Sequence, residues 1–379
     1  MDLGADSLEA GSAFPRDDGK SGLAGHAERD ASSPKGNEDS HEATITFGRP
    51  GEEHRDFRWP HVVLMDKVQN GSPSSIAISE DGLKIAVGFE SGLVLIWDVD
   101  RDALMYMFRH NDNIPSVAFS PLSTHLASGS SDCSVTLWSM ETGLQECHLT
   151  TAHESEVWCL TFSPDETTLV TGSVDASIKF WKVEDLLRGI EEPYLVNKTE
   201  DKLSAIQIVR FTPDGSRIIS FSDCVGSIWD GHSGSLEHRM RGHRCHIWDL
   251  AISHKGDRAA TGSEDHTARI WKVESGKEII RIQERNGSVR SVQFSPDDKF
   301  LVSGSYDRTV KVHNTSTGDC IHILVESFGV RTVAYSLTGD FIISGSRKGT
   351  LKIWDATKGK QLAEIKGHTA KVNAILFHH

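Results

Sequence analysis

The stretch HESEVWCLTFSPDETTLVTGSVDASIKFW, residues 153–181, holds a complete structural unit. Val157-Trp158-Cys159-Leu160-Thr161-Phe162 reads as a short β-strand. Ser163-Pro164-Asp165 is a turn, because proline and a short polar acceptor favour one. A second strand ends at Gly172-Ser173, and a third, after the turn at Asp175, ends at Trp181. The order recurs along the chain. Trp97, Trp138, Trp181, Trp229, Trp271, His313 and Trp354 each close an alternating strand, with gaps of 41, 43, 48, 42, 42 and 41 residues. The longest gap marks an insertion, Glu184 to Glu200, between the third and fourth units. Upstream strands also end at Phe162 and Phe294, and second strands end in Gly-Ser at Gly129-Ser130, Gly262-Ser263, Gly304-Ser305 and Gly345-Ser346.

One such sheet leaves both faces uncovered, so radial stacking of the units is the stable solution. The expectation is an all-β, seven-bladed propeller over residues 59–379. Ile96-Trp97-Asp98, Ile228-Trp229-Asp230 and Ile353-Trp354-Asp355 carry a Trp-Asp ending. With that ending and a period of about 40–45 residues, the chain resembles the WD40-repeat family. Within that family the texture is similar to transcriptional corepressor and G-protein β propellers. Neither the oligomerising helix of the first nor the heptad segment of the second is visible.

The ends are less regular. Residues 1–58 carry 13 acidic and 7 basic side chains and few large apolar ones, so a disordered acidic segment is expected there. His61–Gln69 and Gln361–Lys366 both read as outer strands, and Val372–Phe377 reads as the first strand of a further unit. An incomplete extra blade, or an artificial terminus at His378-His379, would explain the last.

The net charge of −14 argues against a general nucleic-acid surface. No apolar run is long enough to cross a bilayer, and Met1-Asp2-Leu3 opens no secretory signal. The six cysteines form no Cys-x-x-Cys pair, which suits a reducing, cytoplasmic or nuclear setting.

Three units carry a full polar set: His110, Ser128, Asp132, Trp138; then His153, Thr171, Asp175, Trp181; then His243, Thr261, Asp265, Trp271. The family resemblance implies a buried hydrogen-bond tetrad in each. Ser, His and Asp also make hydrolase triads, but a triad occurs once, whereas this set repeats at one structural position. The fourth unit keeps Asp223 and Trp229, with Lys202 where His falls. The sixth has His313 in place of Trp, and the seventh has Lys348 in place of Asp. The first unit lacks both His and Asp, so blades one, six and seven are expected to be the softer sector. No nucleotide, zinc-protease or nucleophile-elbow motif is present. The cluster nearest a metal set, His243, Cys245 and His246, reads as a tetrad histidine beside loop residues. No metal or cofactor is expected.

The resemblance also places two sets of residues on the propeller's top rim. One reads Ser74, Pro115, Trp158, Gln207, Trp248, Arg290 and Arg331; the other includes Ser131, Val174, Glu264, Tyr306 and Arg347. Trp, Tyr and Arg dominate binding hot spots, so Trp158, Trp248, Arg290, Tyr306, Arg331 and Arg347 are the candidate partner site. Several arginines together favour an acidic or phosphorylated peptide, unless Glu264 or Glu326 pairs with them. The expected function is a non-catalytic interaction scaffold or adaptor. The rivals are a hydrolase using the central channel, a corepressor or ubiquitin-ligase receptor subunit, and direct nucleic-acid binding through the arginines. A channel lined by several free carboxylates would favour the enzyme.

Overall fold

Short β-rich runs separated by tight turns fold into meanders, in which each strand pairs with the next. The computed structural model describes residues 72–198, 204–283, 287–366, 372 and 375. The segment 1–58 and the strand expected over His61–Gln69 lie outside them, as does Lys202. Among the described residues are seven four-stranded antiparallel sheets, each with its strands in chain order. They are the seven blades of a propeller: Pro73–Arg109, Ser116–Leu149, Val157–Lys198, Ile206–Arg241, Ile247–Gln283, Val289–Val325 and Val330–Lys366. We call the strands of each blade a to d, from the inside outwards. The insertion in blade three forms a short helix, Val183–Leu187, before the outer strand Leu195–Lys198. The expected strand at Gln361–Lys366 is the outer strand of blade seven.

The core lies between blades. Ile96 and Phe108 of blade one pack with Ile114, Leu126 and Trp138 of blade two. Val302 and Val312 of blade six pack likewise with Val330, Val333 and Trp354 of blade seven. Close approach depends on the glycine in strand b. A Cβ on Gly129 would lie 2.8 Å from Val157 Cγ1 of the next blade. Blade four departs from this rule, since Phe221 stands opposite Gly226 across strands b and c. A Cβ on Gly226 would sit 2.4 Å from that ring, so the glycine has moved to make room for it.

Val372 occupies the same slot against blade seven. Its N–H donates to Ser346 O at 3.1 Å, as the Val157 N–H does to Ser130 O at 3.1 Å. A Cβ on Gly345 would lie 2.7 Å from Val372 Cγ1. The rest of the strand expected over Val372–Phe377 lies outside the described residues, except Ile375.

Candidate functional site

The polar sets come together inside their blades. In blade three the Trp181 indole N–H donates to Thr171 Oγ1 at 3.0 Å. Thr171 Oγ1 lies 2.7 Å from His153 Nε2, and His153 Nδ1 lies 3.0 Å from Asp175 Oδ2. The indole can only donate and the carboxylate can only accept, so the hydroxyl proton points to Nε2 and the ring proton sits on Nδ1. Blade five repeats the chain, with Trp271 to Thr261 at 2.9 Å, Thr261 to His243 at 2.7 Å and His243 to Asp265 at 2.9 Å. Blade two inserts one more hydroxyl. Trp138 donates to Ser128, which meets His110 Nε2, while Ser134 bridges His110 Nδ1 to Asp132.

Burial works against the Asp175 and Asp265 charges. Hydrogen bonds from the histidine, the adjacent hydroxyl and backbone amides outweigh it and hold both carboxyls below the usual range. Burial lowers the histidines, to about 4 for His110 and about 4 for His313. The tetrad hydroxyls of Ser128, Thr171 and Thr261 are fully buried and bonded to indoles, unlike an accessible hydrolase nucleophile.

The incomplete units are built from substitutes. In blade seven, Glu326 takes the histidine's place, at the same 18-residue spacing from the hydroxyl. Trp354 donates to Ser344 at 2.8 Å, Ser344 donates to Glu326 Oε1, and Lys352 Nζ lies 3.3 Å from Glu326 Oε2. This buried pair also takes Glu326 away from the arginines. In blade one the corresponding space is filled by Val87, Phe89, Leu93 and Leu95. Asp223 of blade four is not a network member. Its two-residue turn is too short to aim the side chain inwards, and it lies 3.8 Å from His246 of the next blade with its side chain 60% exposed. His313 is buried, and its Nδ1 has no partner among the described residues.

The neutral buried histidines set a pH dependence. The unfolded chain takes up protons near the ordinary histidine value, and the folded chain does so only near 4 at His110 and His313. Their contribution is therefore complete above about pH 6.5 and is lost as the pH falls towards 4. By pH 4.5 each should have cost about 2 kcal/mol. Urea midpoints measured from pH 7.5 to 4.5 should fall accordingly, and less steeply in His313→Phe. A flat profile would contradict the assignment.

The rim is made by a different device. In blades three, five, six and seven the pairing of strands a and b shifts register at the head of strand a. The residues skipped there are Trp158, Trp248, Arg290 and Arg331; Ser74 and Gln207 are skipped in the same way. A bulge of this kind re-aims one side chain out of the sheet. Trp158 and Trp248 are 36% and 37% exposed. The second rim set follows strand b, with each amide bonded to the loop before strand a. Ser131 bonds Asn113 O, Val174 Glu156 O, Glu264 His246 O, Tyr306 Ser288 O and Arg347 Gly329 O.

Neighbouring blades bring five of the six candidates together. The Arg290 guanidinium lies 3.6 Å from the Trp248 ring centre and 4.2 Å from that of Tyr306. Arg347 lies 4.9 Å from the Tyr306 centre, and Arg331 Nη1 reaches its hydroxyl at 3.5 Å. His246 packs on Trp248 at 4.2 Å, and Arg290 Nε donates to Ser288 Oγ at 3.2 Å. Burial, with Arg331 and Arg347 nearby, holds the Arg290 pKa below its ordinary value against the pull of Tyr306 and Glu264. Among the described residues, no carboxylate lies within ion-pair distance of Arg290, Arg331 or Arg347. Trp158 stands apart. Its indole N–H donates to Glu156 Oε2 at 2.9 Å, and Ser131 donates to the same oxygen at 3.1 Å.

Below the rim, the inner strands of blades four to seven line a channel cavity of about 450 Å³ with Arg210, Asp249, Arg290 and Arg331 on its wall. Sequence reading missed Arg210 and Asp249, which carry no repeat signal. Asp249 is the one carboxylate among the described lining residues. It clasps two blades by accepting the Leu250 and Val292 amides at 2.8 and 2.9 Å. Burial pushes its carboxyl up. Among the described residues that line this cavity, the several free carboxylates that would favour a hydrolase are not found. Among the described residues no group of three or more His, Cys, Asp or Glu is placed to hold a metal. Of the cluster noted in the sequence, His243 is in its tetrad, His246 lies on Trp248 and Cys245 is exposed. All six cysteines are free thiols. No helix among the described residues is long and apolar enough to cross a membrane.

Repeated blades, tetrads and Trp-Asp endings define the class, and the chain belongs to the WD40-repeat β-propeller family. A family model described as WD domain, G-beta repeat, matches residues 103–139 and 145–182. A second, described as the IFT122 first beta-propeller, matches residues 205–379. The chain is 36% identical over 96 residues to the DENN domain and WD repeat-containing protein SCD1 of Arabidopsis thaliana, covering 25% of this chain and 8% of that one. It is 26% identical over 249 residues to the Periodic tryptophan protein 2 homolog of Dictyostelium discoideum, covering 64% of this chain and 26% of that one. The chain thus spans about a quarter or less of these relatives' lengths. The crystal structure of the computationally designed Ika8 protein shares the fold at a TM-score of 0.70 and 23% identity, over 83% of this chain and 92% of that one. Membership of the family carries the general protein-interaction scaffold role typical of WD40 propellers.

Proposed function

We propose that the scaffold captures acidic or phosphorylated protein segments on its top rim, over blades five to seven. One observation carries this reading. Arg290 is packed against Trp248 and Tyr306, with Arg331 and Arg347 beside it, and no carboxylate pairs with them among the described residues. Holding like charges together costs free energy that an anionic partner relieves. A guanidinium fixed on aromatic faces keeps its N–H edge free for bidentate recognition of carboxylate or phosphate. The exposed part of Trp248 offers an apolar seat next to that edge. The free thiols suit a cytoplasmic or nuclear setting for such an adaptor.

The test is fluorescence anisotropy with a synthetic phosphoserine peptide, its serine counterpart and a glutamate counterpart. The phosphoserine and glutamate forms should bind more tightly than the serine form, and binding should weaken with salt. Equal affinity for all three, insensitive to salt, would contradict the reading.

A further inference from the structure

Blades three and five share one set of rim slots, so they can be compared position by position. Glu154 of blade three and Arg244 of blade five fill one slot. Each follows the tetrad histidine and bonds through its amide to the tetrad aspartate, at 2.9 and 3.0 Å. Glu156 and His246 fill the next, each accepting the amide of the second rim set, from Val174 and Glu264. Trp158 and Trp248 fill the third, as the bulged residues of strand a. Two tryptophans thus stand in equivalent seats: Glu156 accepts from the first, and the Arg290 guanidinium stacks on the second, with Glu264 and Asp223 also near its neighbour His246.

The neighbours extend each side. Asp112 is exposed in the loop that leads into blade two and Glu154 in the loop that leads into blade three, and Glu156 lies half-buried beside Trp158. The Cys133 thiol is pushed up by burial and then by the Asp132, Glu156 and Asp175 carboxylates, so it reports a negative field. On the other side Arg244, Arg290, Arg308, Arg331 and Arg347 follow one another over blades five to seven. Among the described residues, Asp112, Glu154 and Glu156 have no cation within ion-pair distance. In a ring of seven blades, blade three stands opposite the junction of blades six and seven.

We infer that the rim is a charge-polar docking surface whose partner is a protein segment with a basic stretch seated over Trp158, Glu154 and Glu156 and an acidic stretch seated over Trp248, Arg290 and Arg331. This rests on the rim reading above and adds the partner's polarity and its path across the channel mouth. Complementary poles fix register and exclude segments of uniform charge, which meet repulsion at one end.

The probes are three synthetic peptides of equal length with a central apolar segment: one half lysine and half glutamate, one all glutamate, one all lysine. Anisotropy at low salt should rank the bipolar peptide first, by at least about tenfold over the all-glutamate one. Glu154→Lys with Glu156→Lys should weaken the bipolar peptide and tighten the all-glutamate one, with unchanged melting. Arg331→Glu should weaken both. An all-glutamate peptide that binds as well as the bipolar one, indifferent to the lysine variant, overturns the polarity and leaves the acidic-segment reading standing. Failure of all three peptides to bind overturns both.

Discussion

Replacing Arg290 and Arg331 together by glutamate removes capture of the phosphoserine and glutamate peptides and leaves the propeller folded. Both side chains leave their strands at a bulge, so neither supports a blade core. Arg290 is the hub of the stack, with Trp248 at 3.6 Å and Tyr306 at 4.2 Å. Reversal of two charges turns an attraction into a repulsion at both ends of the recognised group. Each lost charge-assisted hydrogen bond is worth about 1.5–3 kcal/mol, so affinity should fall by more than about a hundredfold. Arg290→Lys separates charge from shape. It keeps the cation but loses the planar fork, and should fall between the parent and the reversal. Unaltered capture by the folded double variant would remove the arginines from the site and leave the tryptophans or another surface.

Asp175→Ala has the largest expected effect on stability. The carboxylate accepts from His153 at 3.0 Å, from Ser177 at 2.5 Å and from the Glu154 amide at 2.9 Å. Removing it leaves these donors and the Ser177 amide, at 2.8 Å, without that acceptor, one of them in a buried ring. The cost is about 1–3 kcal/mol, or more if the ring stays dry. Ser131→Ala lies at the turn of blade two, outside the network, and should cost less than about 0.5 kcal/mol. Urea midpoints of the two variants give the comparison. Equal midpoints would show that the tetrad of blade three does not hold the blade.

Much of the fold was readable because a repeat transfers information between units. The spacing of Trp97 to Trp354 set the number of blades, and the three full tetrads set the position of each hydroxyl and acid. The rim residues followed from the same register, since a bulge recurs at the head of strand a. Departures from the repeat were harder. Asp223 looked like a turn acid until the shortened turn placed it outside its blade's network. Glu326 was legible in principle, at the histidine's distance from Ser344, but a carboxylate in a histidine slot is not anticipated without its buried partner Lys352. The stacking of Arg290 between two blades is a contact between strands 42 residues apart in the repeat, at Trp248 and Arg290, and periodicity says nothing about such distances. Arg210 and Asp249 belong to the channel wall, where side-chain identity varies freely from blade to blade.

The central claim is that partners dock on the rim across the channel. Hydrogen exchange of the intact chain, free and saturated with the bipolar peptide, tests it most directly. Protection should appear in the loops and strand heads around 154–158, 244–248, 288–291, 306 and 329–331. Protection confined to outer strands such as Lys277–Gln283 and Cys320–Val325, with none at the rim, would contradict it.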